Sequence, residues 1–118
     1  MRIEHYRTEW QDTDNYIFLA CSYGHIVGCL EMTKFKKGED EGKAYVWNLH
    51  IDKPHRKQGY ANQLMKEAIT TAKDSGCTNI IVDWERQDSP QWVLDWYVRL
   101  GFNEKSFGRG GCTLEKKL

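Results

Sequence analysis

Apolar and polar residues alternate along the first half of the chain, which is the pattern of β-strands. The run Asn15–Phe35 predicts a hairpin with its turn at Ser22-Tyr23-Gly24. A polar segment, Lys36–Lys43, separates it from the run Ala44–Ile51, which predicts a third strand. One face of that strand is expected to carry Tyr45, Trp47, Leu49 and Ile51. The opening residues Arg2–Thr8 are expected to form a further strand.

After Gly59 the apolar residues recur at helical spacing, which predicts a helix that is expected to stop at Gly76. Its apolar stripe is predicted to contain Leu64, Met65, Ala68, Ile69 and Ala72. The run Asn79–Trp84 predicts a short buried strand. A second helix is expected between an N-cap at Ser89 and Gly101. Its buried stripe is predicted to contain Trp92, Val93, Trp96, Tyr97 and Leu100, after Pro90 in the first turn.

The order of these elements predicts the fold class. The strand–helix–strand unit from Ala44 to Trp84 is expected to be a right-handed crossover between parallel strands, whereas the hairpin before it is antiparallel. The tail from Cys112 predicts a closing strand. We therefore expect one α+β (α/β) domain over residues 1–118, with a mixed, largely antiparallel sheet, a central parallel βαβ unit and helices packed on its faces.

Charge and cysteine content narrow the functional classes. Lys+Arg and Asp+Glu both number 17, so there is no overall attraction to nucleic acid or to an anionic membrane, and neither is expected as a partner. The first residues do not resemble a signal peptide, and no run is long enough to span a membrane. The four cysteines form no CxxC pair and lie at no ligand spacing to the four histidines. We expect reduced thiols, no metal site and a cytoplasmic protein.

The loop between the third strand and the first helix is a candidate anion site. A helix that opens at a glycine presents unpaired N–H groups at its positive end, which favours a phosphate. Gly59 allows close approach, and Arg56 and Lys57 add positive charge. An ordinary strand-to-helix turn with exposed basic residues is the alternative that the loop alone leaves open. Neither a Walker loop nor a GxGxxG fingerprint is present.

Two motifs together point to a family. "RKQGYA" (Arg56–Ala61) fits the pattern R/Q-x-x-G-x-G/A, and "DWYVRLGF" (Asp95–Phe102) ends the second helix with an aromatic pair and Leu-Gly-Phe. In this order, with a strand between them, they resemble the GNAT superfamily of acetyl-CoA-dependent N-acetyltransferases. The resemblance covers about Ala44–Phe102 well.

The resemblance implies acetyl-CoA as co-substrate. It implies that the amides of the loop cradle the coenzyme A pyrophosphate, and that the pantetheine arm pairs with the third strand where that strand parts from the next one. The cofactor-binding residues implied are Leu49, His50, Ile51, Arg56, Lys57, Gln58, Gly59, Tyr60 and Ala61. The chain departs from the family before the second helix, where many members carry a pantetheine-contacting Asn and this chain reads "DSPQ". Ser89 is the candidate to contribute its hydroxyl there, and its role as N-cap is the alternative.

Acetyl transfer to a primary amine of a small molecule or a protein needs a base, an oxyanion donor and an acid. The backbone N–H near Leu49 or His50 is the candidate oxyanion donor. The resemblance places Tyr97 as the acid beside the thioester sulfur, and a core aromatic is the alternative. It places Glu85 as the base, and a surface carboxylate paired with Arg86 is the alternative. Asp83 and His50 are reserve candidates for the base.

The N-terminal region departs from the family. The usual fold has two helices after the first strand, whereas "TEWQDTDN" is too short for both. The acceptor wall is therefore missing, open or supplied by a partner, and a homodimer is expected as one solution. Trp10, Trp84 and Trp92 are candidate wall or interface residues, with burial in the core as the default for the last two. A non-catalytic acyl-CoA-binding or sensing module is the alternative function.

Overall fold

The computed structural model describes residues 2–118 and forms a seven-stranded sheet with two α-helices. The strands are β1 (Arg2–Glu9), β2 (Thr13–Ser22), β3 (His25–Phe35), β4 (Lys43–Ile51), β5 (Asn79–Glu85), β6 (Asn103–Phe107) and β7 (Gly111–Lys117). The helices are α1 (Tyr60–Asp74) and α2 (Gln91–Arg99), and a 3-10 turn spans Lys53–His55. No helix among the described residues is long and apolar enough to span a bilayer.

The strand order is β1-β2-β3-β4-β5-β7-β6. Every neighbouring pair is antiparallel except β4 and β5, which are parallel and are joined by α1. The predicted mixed sheet with a central βαβ unit is confirmed. Strand β6 was not predicted, because all five of its residues are exposed and show no apolar alternation.

Both helices pack on one face of the sheet, which we call the covered face. It is formed by the buried strand residues Tyr16, Phe18, Leu30, Met32, Ala44, Val46, Ile80, Val82, Trp84 and Leu114. Helix α1 buries Leu64, Met65, Ala68 and Ala72 against it, as the helical spacing predicted, and Ile69 is partly buried. Helix α2 buries Leu94 and Tyr97 in the same cluster. An indole–amide hydrogen bond from Trp96 to Asn62, 2.6 Å long, joins the two helices.

The opposite face, which we call the open face, has no helix of the described chain on it. It carries Asn15, Ile17, Thr33, Tyr45, Trp47, Ile81, Asp83, Glu85 and Thr113, all half-buried or exposed. These residues alternate along their strands with residues of the covered face. The two N-terminal helices whose absence the sequence suggested are not replaced by any other element within residues 2–118.

Two details of α2 correct the predictions. Its N-cap is Pro90 rather than Ser89, and no side chain makes a capping hydrogen bond. The buried side of the helix is centred on Leu94 and Tyr97. Trp92 lies outside that stripe and keeps 62% of its surface exposed, so its predicted burial was wrong. Trp84 is buried, as expected.

A β-bulge in β4 corrects the predicted face of that strand. Met32 pairs with Val46 and Glu31 pairs with Asn48, so Trp47 is the extra residue. One inserted residue reverses the alternation that follows it. Tyr45 and Trp47 therefore lie on the open face, whereas Ile51 is buried, and the single shared face expected for all of them was wrong.

Candidate active site

Strands β4 and β5 separate part-way along their length. Their parallel pairing begins at Lys43 and Asn79 and ends at Val46 and Val82. From Trp47 to Ile51 no strand of the described chain pairs with β4 on the side of β5. Backbone N–H and C=O groups on that side are thus available to an extended ligand. The parting of the two strands that the resemblance implied is present.

The N-terminus of α1 lies just beyond the end of β4 and suits an anion. Gly59 is its N-cap, with φ of 86°, and a Cβ there would point into open space. Helix hydrogen bonding begins with Gln63 N–H donating to the Gly59 carbonyl, 3.1 Å away. The amides of the preceding first turn have no intrahelical acceptor and carry the positive end of the helix dipole. A diphosphate fits these groups.

The side chains of the loop mostly anchor it rather than face a ligand. Arg56 donates from Nε to the Ile51 carbonyl at 2.9 Å, which ties the loop to the end of β4. Gln58 donates to the Pro54 carbonyl at 3.4 Å. Tyr60 is buried in the core, and Ala61 packs partly against it. Lys57 is exposed and has a positive φ of 63°. Its ammonium group makes no hydrogen bond or ion pair with the described residues, so it can meet an anion.

The remaining predicted cofactor residues differ in what they can offer. Ile51 is buried and Leu49 is half-buried, so their backbone groups are the available ones. His50 is exposed, and its Nε2 lies 3.3 Å from Asp52 Oδ1. Ser89 is half-buried and its N–H donates to the Glu85 carbonyl at 2.9 Å, which places it at the turn after β5.

Tyr97 lies in the core on the covered face. The centroid of its ring lies 5.8 Å from that of Phe102, with the two rings edge to face, and 5.2 Å from that of Trp96. Burial, and then the negative charge of Asp83, raises the pKa of the Tyr97 hydroxyl. The phenol therefore stays protonated in the neutral range and can donate a proton. A phenol can pack its ring and present its hydroxyl at the same time.

Glu85 is exposed at the end of β5, on the open face. A hydrogen bond with Asp88 and the charge of Asp88, followed by burial and the charge of Asp83, raise the pKa of the Glu85 carboxyl. A raised pKa makes a carboxylate a stronger base. No ion pair joins Glu85 to Arg86 in the described chain. The guanidinium carbon of Arg86 lies 5.9 Å from the centroid of the Trp84 ring.

Asp83 is the centre of a hydrogen-bond network that sequence reasoning missed. Tyr45 donates its hydroxyl to Oδ2 at 2.5 Å, and Thr113 donates to Oδ1 at 2.8 Å. Burial and the bond to Asp83 raise the pKa of Tyr45 to about 12, so it remains a donor. The sequence signal for this network was a charged residue inside the apolar run of β5, which indicates that one face of that strand is not covered.

A cleft of about 430 Å³ opens on the sheet at the end of β5. Its lining includes Asp83, Glu85, Ser106, Gly108, Gly111 and Thr113. A Cβ on Gly111 would collide with the Trp84 carbonyl oxygen, so only glycine allows the β6–β7 hairpin to close onto the end of β5. Because β6 was not predicted from the sequence, the side of the cleft that β6 forms was not predicted either.

No site for a metal ion is apparent in the part of the chain that the structure describes. Within residues 2–118 no three His, Cys, Asp or Glu side chains come together in a way that could hold one. All four cysteines are free thiols.

Comparison with known proteins identifies the family. The profile of the Acetyltransferase (GNAT) family matches residues 2–102. The chain belongs to the GNAT family. Over 85 residues this GNAT chain is 33% identical to the N-alpha-acetyltransferase MAK3 of Arabidopsis thaliana, which covers 72% of the chain and 43% of that relative. The chain thus spans less than half the length of this curated relative.

Solved structures show the same fold. The PaiA N-acetyltransferase of Thermoplasma acidophilum, in complex with coenzyme A, has a TM-score of 0.73 at 19% identity over 91% of this chain and 62% of that one. A GNAT family acetyltransferase of Elizabethkingia anophelis with acetyl-CoA bound has a TM-score of 0.74 at 16% identity and covers 98% of both chains. The GNAT fold assigned to this chain therefore also occurs in a protein of matching length.

Proposed function

We propose that this GNAT protein is an N-acetyltransferase that moves the acetyl group of acetyl-CoA to a primary amine. The observation that carries the proposal is the parting of β4 and β5 after Val46 and Val82, next to a helix N-terminus that suits a diphosphate. Family membership supports it, and so does the relative's name, which is that of an N-alpha-acetyltransferase. The acceptor we expect is the amine of a small molecule or of a protein.

Binding of acetyl-CoA would use mainly backbone groups. The pyrophosphate would accept hydrogen bonds from the amides that open α1, with Lys57 adding charge. The pantetheine arm would pair with the free side of β4 between Trp47 and Ile51. Because these contacts are made by the main chain, the loop sequence is constrained chiefly at Gly59.

The chemistry would proceed by direct attack. Glu85, directly or through water, takes a proton from the acceptor ammonium, and the neutral nitrogen attacks the thioester carbonyl carbon. The new C–N bond forms as the carbonyl becomes an oxyanion, which the backbone N–H near Leu49 or His50 holds. The C–S bond then breaks, Tyr97 protonates the leaving thiolate, and the second amine proton leaves to solvent. The tyrosinate regains its proton from solvent.

A thiol-release assay with acetyl-CoA and a panel of amines tests this proposal. The panel should contain alkylamines, peptides with a free N-terminus, and peptides whose only amine is on a lysine side chain. We expect coenzyme A release that depends on one amine class, together with a rise in melting temperature on adding acetyl-CoA. No rise with millimolar acetyl-CoA would reject the cofactor. A rise without acetyl transfer to any amine would leave the non-catalytic binding or sensing module.

A homodimer is a further part of the proposal. Trp10 and Trp92 are both exposed, at 61% and 62%, and are the aromatic residues that we expect at its interface. Sedimentation equilibrium across a range of protein concentrations measures the assembly state. A monomer at all concentrations, or a dimer unaffected by Trp92→Ser and Trp10→Ser, would exclude this interface.

A further inference from the structure

Two side chains of the open face stand where β4 and β5 part. Trp47 is the first residue of β4 beyond its last pair with β5, and Asp83 is the first residue of β5 beyond the same point. Both project from the open face, opposite to the helices. They therefore flank the gap on the side from which an acceptor would reach the acetyl group. The side chain of neither residue has a place in the binding of coenzyme A set out above, which uses the backbone of β4.

Trp47 is exposed but held in place. It keeps 51% of its surface in solvent, yet its indole Nε1 donates to Thr33 Oγ1 at 3.1 Å. Thr33 in turn donates to Asn15 Oδ1 at 2.7 Å. The ring is thus oriented before any ligand arrives. A fixed indole face attracts a cation and packs against the methylene groups next to it.

Asp83 is a fixed carboxylate without a cationic partner. Both oxygens accept hydrogen bonds, but the donors, Tyr45 and Thr113, are neutral hydroxyls. No Lys or Arg of the described chain forms an ion pair with it. Each oxygen retains a further acceptor position, so the group has charge and lone pairs to offer to a ligand. Glu85 follows two residues later on the same face.

We propose that Trp47 and Asp83 are the acceptor-selecting pair of this enzyme and that they bind the acceptor as a primary ammonium ion. This inference rests on the proposed function. Asp83 receives the ammonium group, the indole of Trp47 covers the neighbouring methylene, and Glu85 lies next along β5 to take the proton. The orientation of both side chains is provided by Thr33, Tyr45 and Thr113, which act as positioning residues.

The charges at this end of β5 also limit the acceptor class. Asp83, Glu85 and Asp88 are close enough for the charges of Asp83 and Asp88 to act on Glu85. A carboxylate beside the acceptor amine would be repelled by this group of negative charges. Simple amines and peptide N-termini are therefore favoured, and free amino acids are disfavoured.

An NMR titration of the coenzyme A complex tests the pair without relying on turnover. The probe is n-butylammonium chloride, and O-propylhydroxylamine serves as a control of the same shape that is uncharged at neutral pH. The signals to follow are the Trp47 indole N–H, assigned with Trp47→Phe, and the backbone amides of Asp83 and Thr113. We expect saturable shifts of all three with n-butylammonium and at least about tenfold weaker binding of the uncharged control.

Variants separate the charge of Asp83 from general charge effects. Asp83→Asn should weaken n-butylammonium binding at least about tenfold. Glu115→Gln removes a negative charge from the same face two residues beyond Thr113, and it should change binding less than about twofold. Trp47→Leu should weaken binding, whereas Trp47→Phe should retain most of it because a π face remains.

Each outcome decides a different question. Shifts confined to other residues, equal binding of the uncharged control, or unchanged binding in Asp83→Asn would overturn the selecting pair. The same holds for an absence of saturable shifts with millimolar n-butylammonium. The coenzyme A complex is formed first and is monitored at the amides of Lys57–Ala61, so failure of the cofactor assignment would appear in that step, before any amine is added. Failure of acetyl transfer would appear separately, in the thiol-release assay.

Discussion

On the covered face of the sheet Phe18 is fully buried, whereas its neighbour Ile17 on the open face keeps 39% of its surface in solvent. The same contrast runs across the strands. The covered face is a continuous apolar cluster with both helices, while the open face is joined by side-chain hydrogen bonds such as Trp47–Thr33–Asn15 and Tyr45–Asp83–Thr113. Burial of apolar surface stabilises the covered face, and hydrogen bonds between side chains orient the residues of the open face.

The difference explains how a short chain can hold both a core and a candidate reaction site. Each covered-face residue contributes by removing apolar surface from water, which requires no particular orientation of polar groups. The open face contributes less to stability, because hydrogen bonds there are exchanged for bonds to water. It instead presents oriented side chains to solvent. The proposed acid, Tyr97, belongs to the covered face and the proposed base, Glu85, to the open face.

The largest effect on stability is expected from truncating a residue of the covered face and comparing it with the same truncation at its neighbour on the open face. Phe18→Ala should lower the free energy of unfolding by about 3–5 kcal/mol, because it leaves a cavity in the core. Ile17→Ala, its matched control on the open face, should cost about 1 kcal/mol or less. Urea unfolding followed by fluorescence measures both. Equal losses would show that the open face is covered in solution.

Removing the proposed acid should separate chemistry from binding. Tyr97→Phe keeps the ring packed against Phe102 but removes the hydroxyl. We expect kcat to fall about 100-fold while the KM for acetyl-CoA stays nearly constant. Steady-state kinetics with the best amine of the panel gives both values. An unchanged kcat would leave Tyr97 with its packing role alone.

The coenzyme cradle should depend on the absence of a side chain at Gly59. Gly59→Leu would place its side chain in the open space before α1 and should abolish the rise in melting temperature caused by acetyl-CoA. Gly38→Leu is the matched control, because Gly38 has a similar φ of 90° and equally open surroundings away from the site. Both variants carry a conformational cost of about 1–2 kcal/mol. A ligand-induced rise that survives in Gly59→Leu would contradict the cradle.

The smallest effect is expected on the pH dependence of kcat/KM, through the carboxylates of the open face. If Glu85 is the base, kcat/KM rises with pH as its carboxyl loses a proton. Asp88 is the largest cause of the raised pKa of Glu85, so Asp88→Asn should lower that pKa and move the rise in kcat/KM to lower pH. Asp95→Asn on the exposed side of α2 should leave the profile unchanged. A rise that does not move, or that moves to higher pH, would remove Glu85 from the role of base.

Some of the site was predictable because it depends on local sequence. Gly59 at the start of α1 and Tyr97 on the buried stripe of α2 follow from glycine at a helix boundary and from helical spacing. Glu85 at the end of β5 follows from where the apolar run stops. The roles assigned to these residues stay predictions.

Other features of the fold and of the site were not predictable from local sequence, because they depend on which strands pair with each other. Leu49 and Ile51 were wrongly expected to share a face with Tyr45 and Trp47, because the bulge that separates them is defined by the partner strand, here β3, and not by β4 alone. The network of Asp83 with Tyr45 and Thr113 joins residues that are 38 and 30 positions from Asp83 along the chain, so no local pattern contains it. The exposed strand β6 has no apolar alternation to detect.

The sequence by itself determined both helices and every strand except β6, the order of these elements, the apolar stripe of α1 and the glycine that opens α1, because hydrophobic period and backbone preference act within a few neighbouring residues. Only the tertiary structure decided that both helices share one face, and that Trp47 and Asp83 both project from the other face just beyond the last β4–β5 pair. It also decided that Asp83 accepts hydrogen bonds from Tyr45 and Thr113. These outcomes depend on strand register and on contacts between distant segments, which are set when the whole sheet assembles.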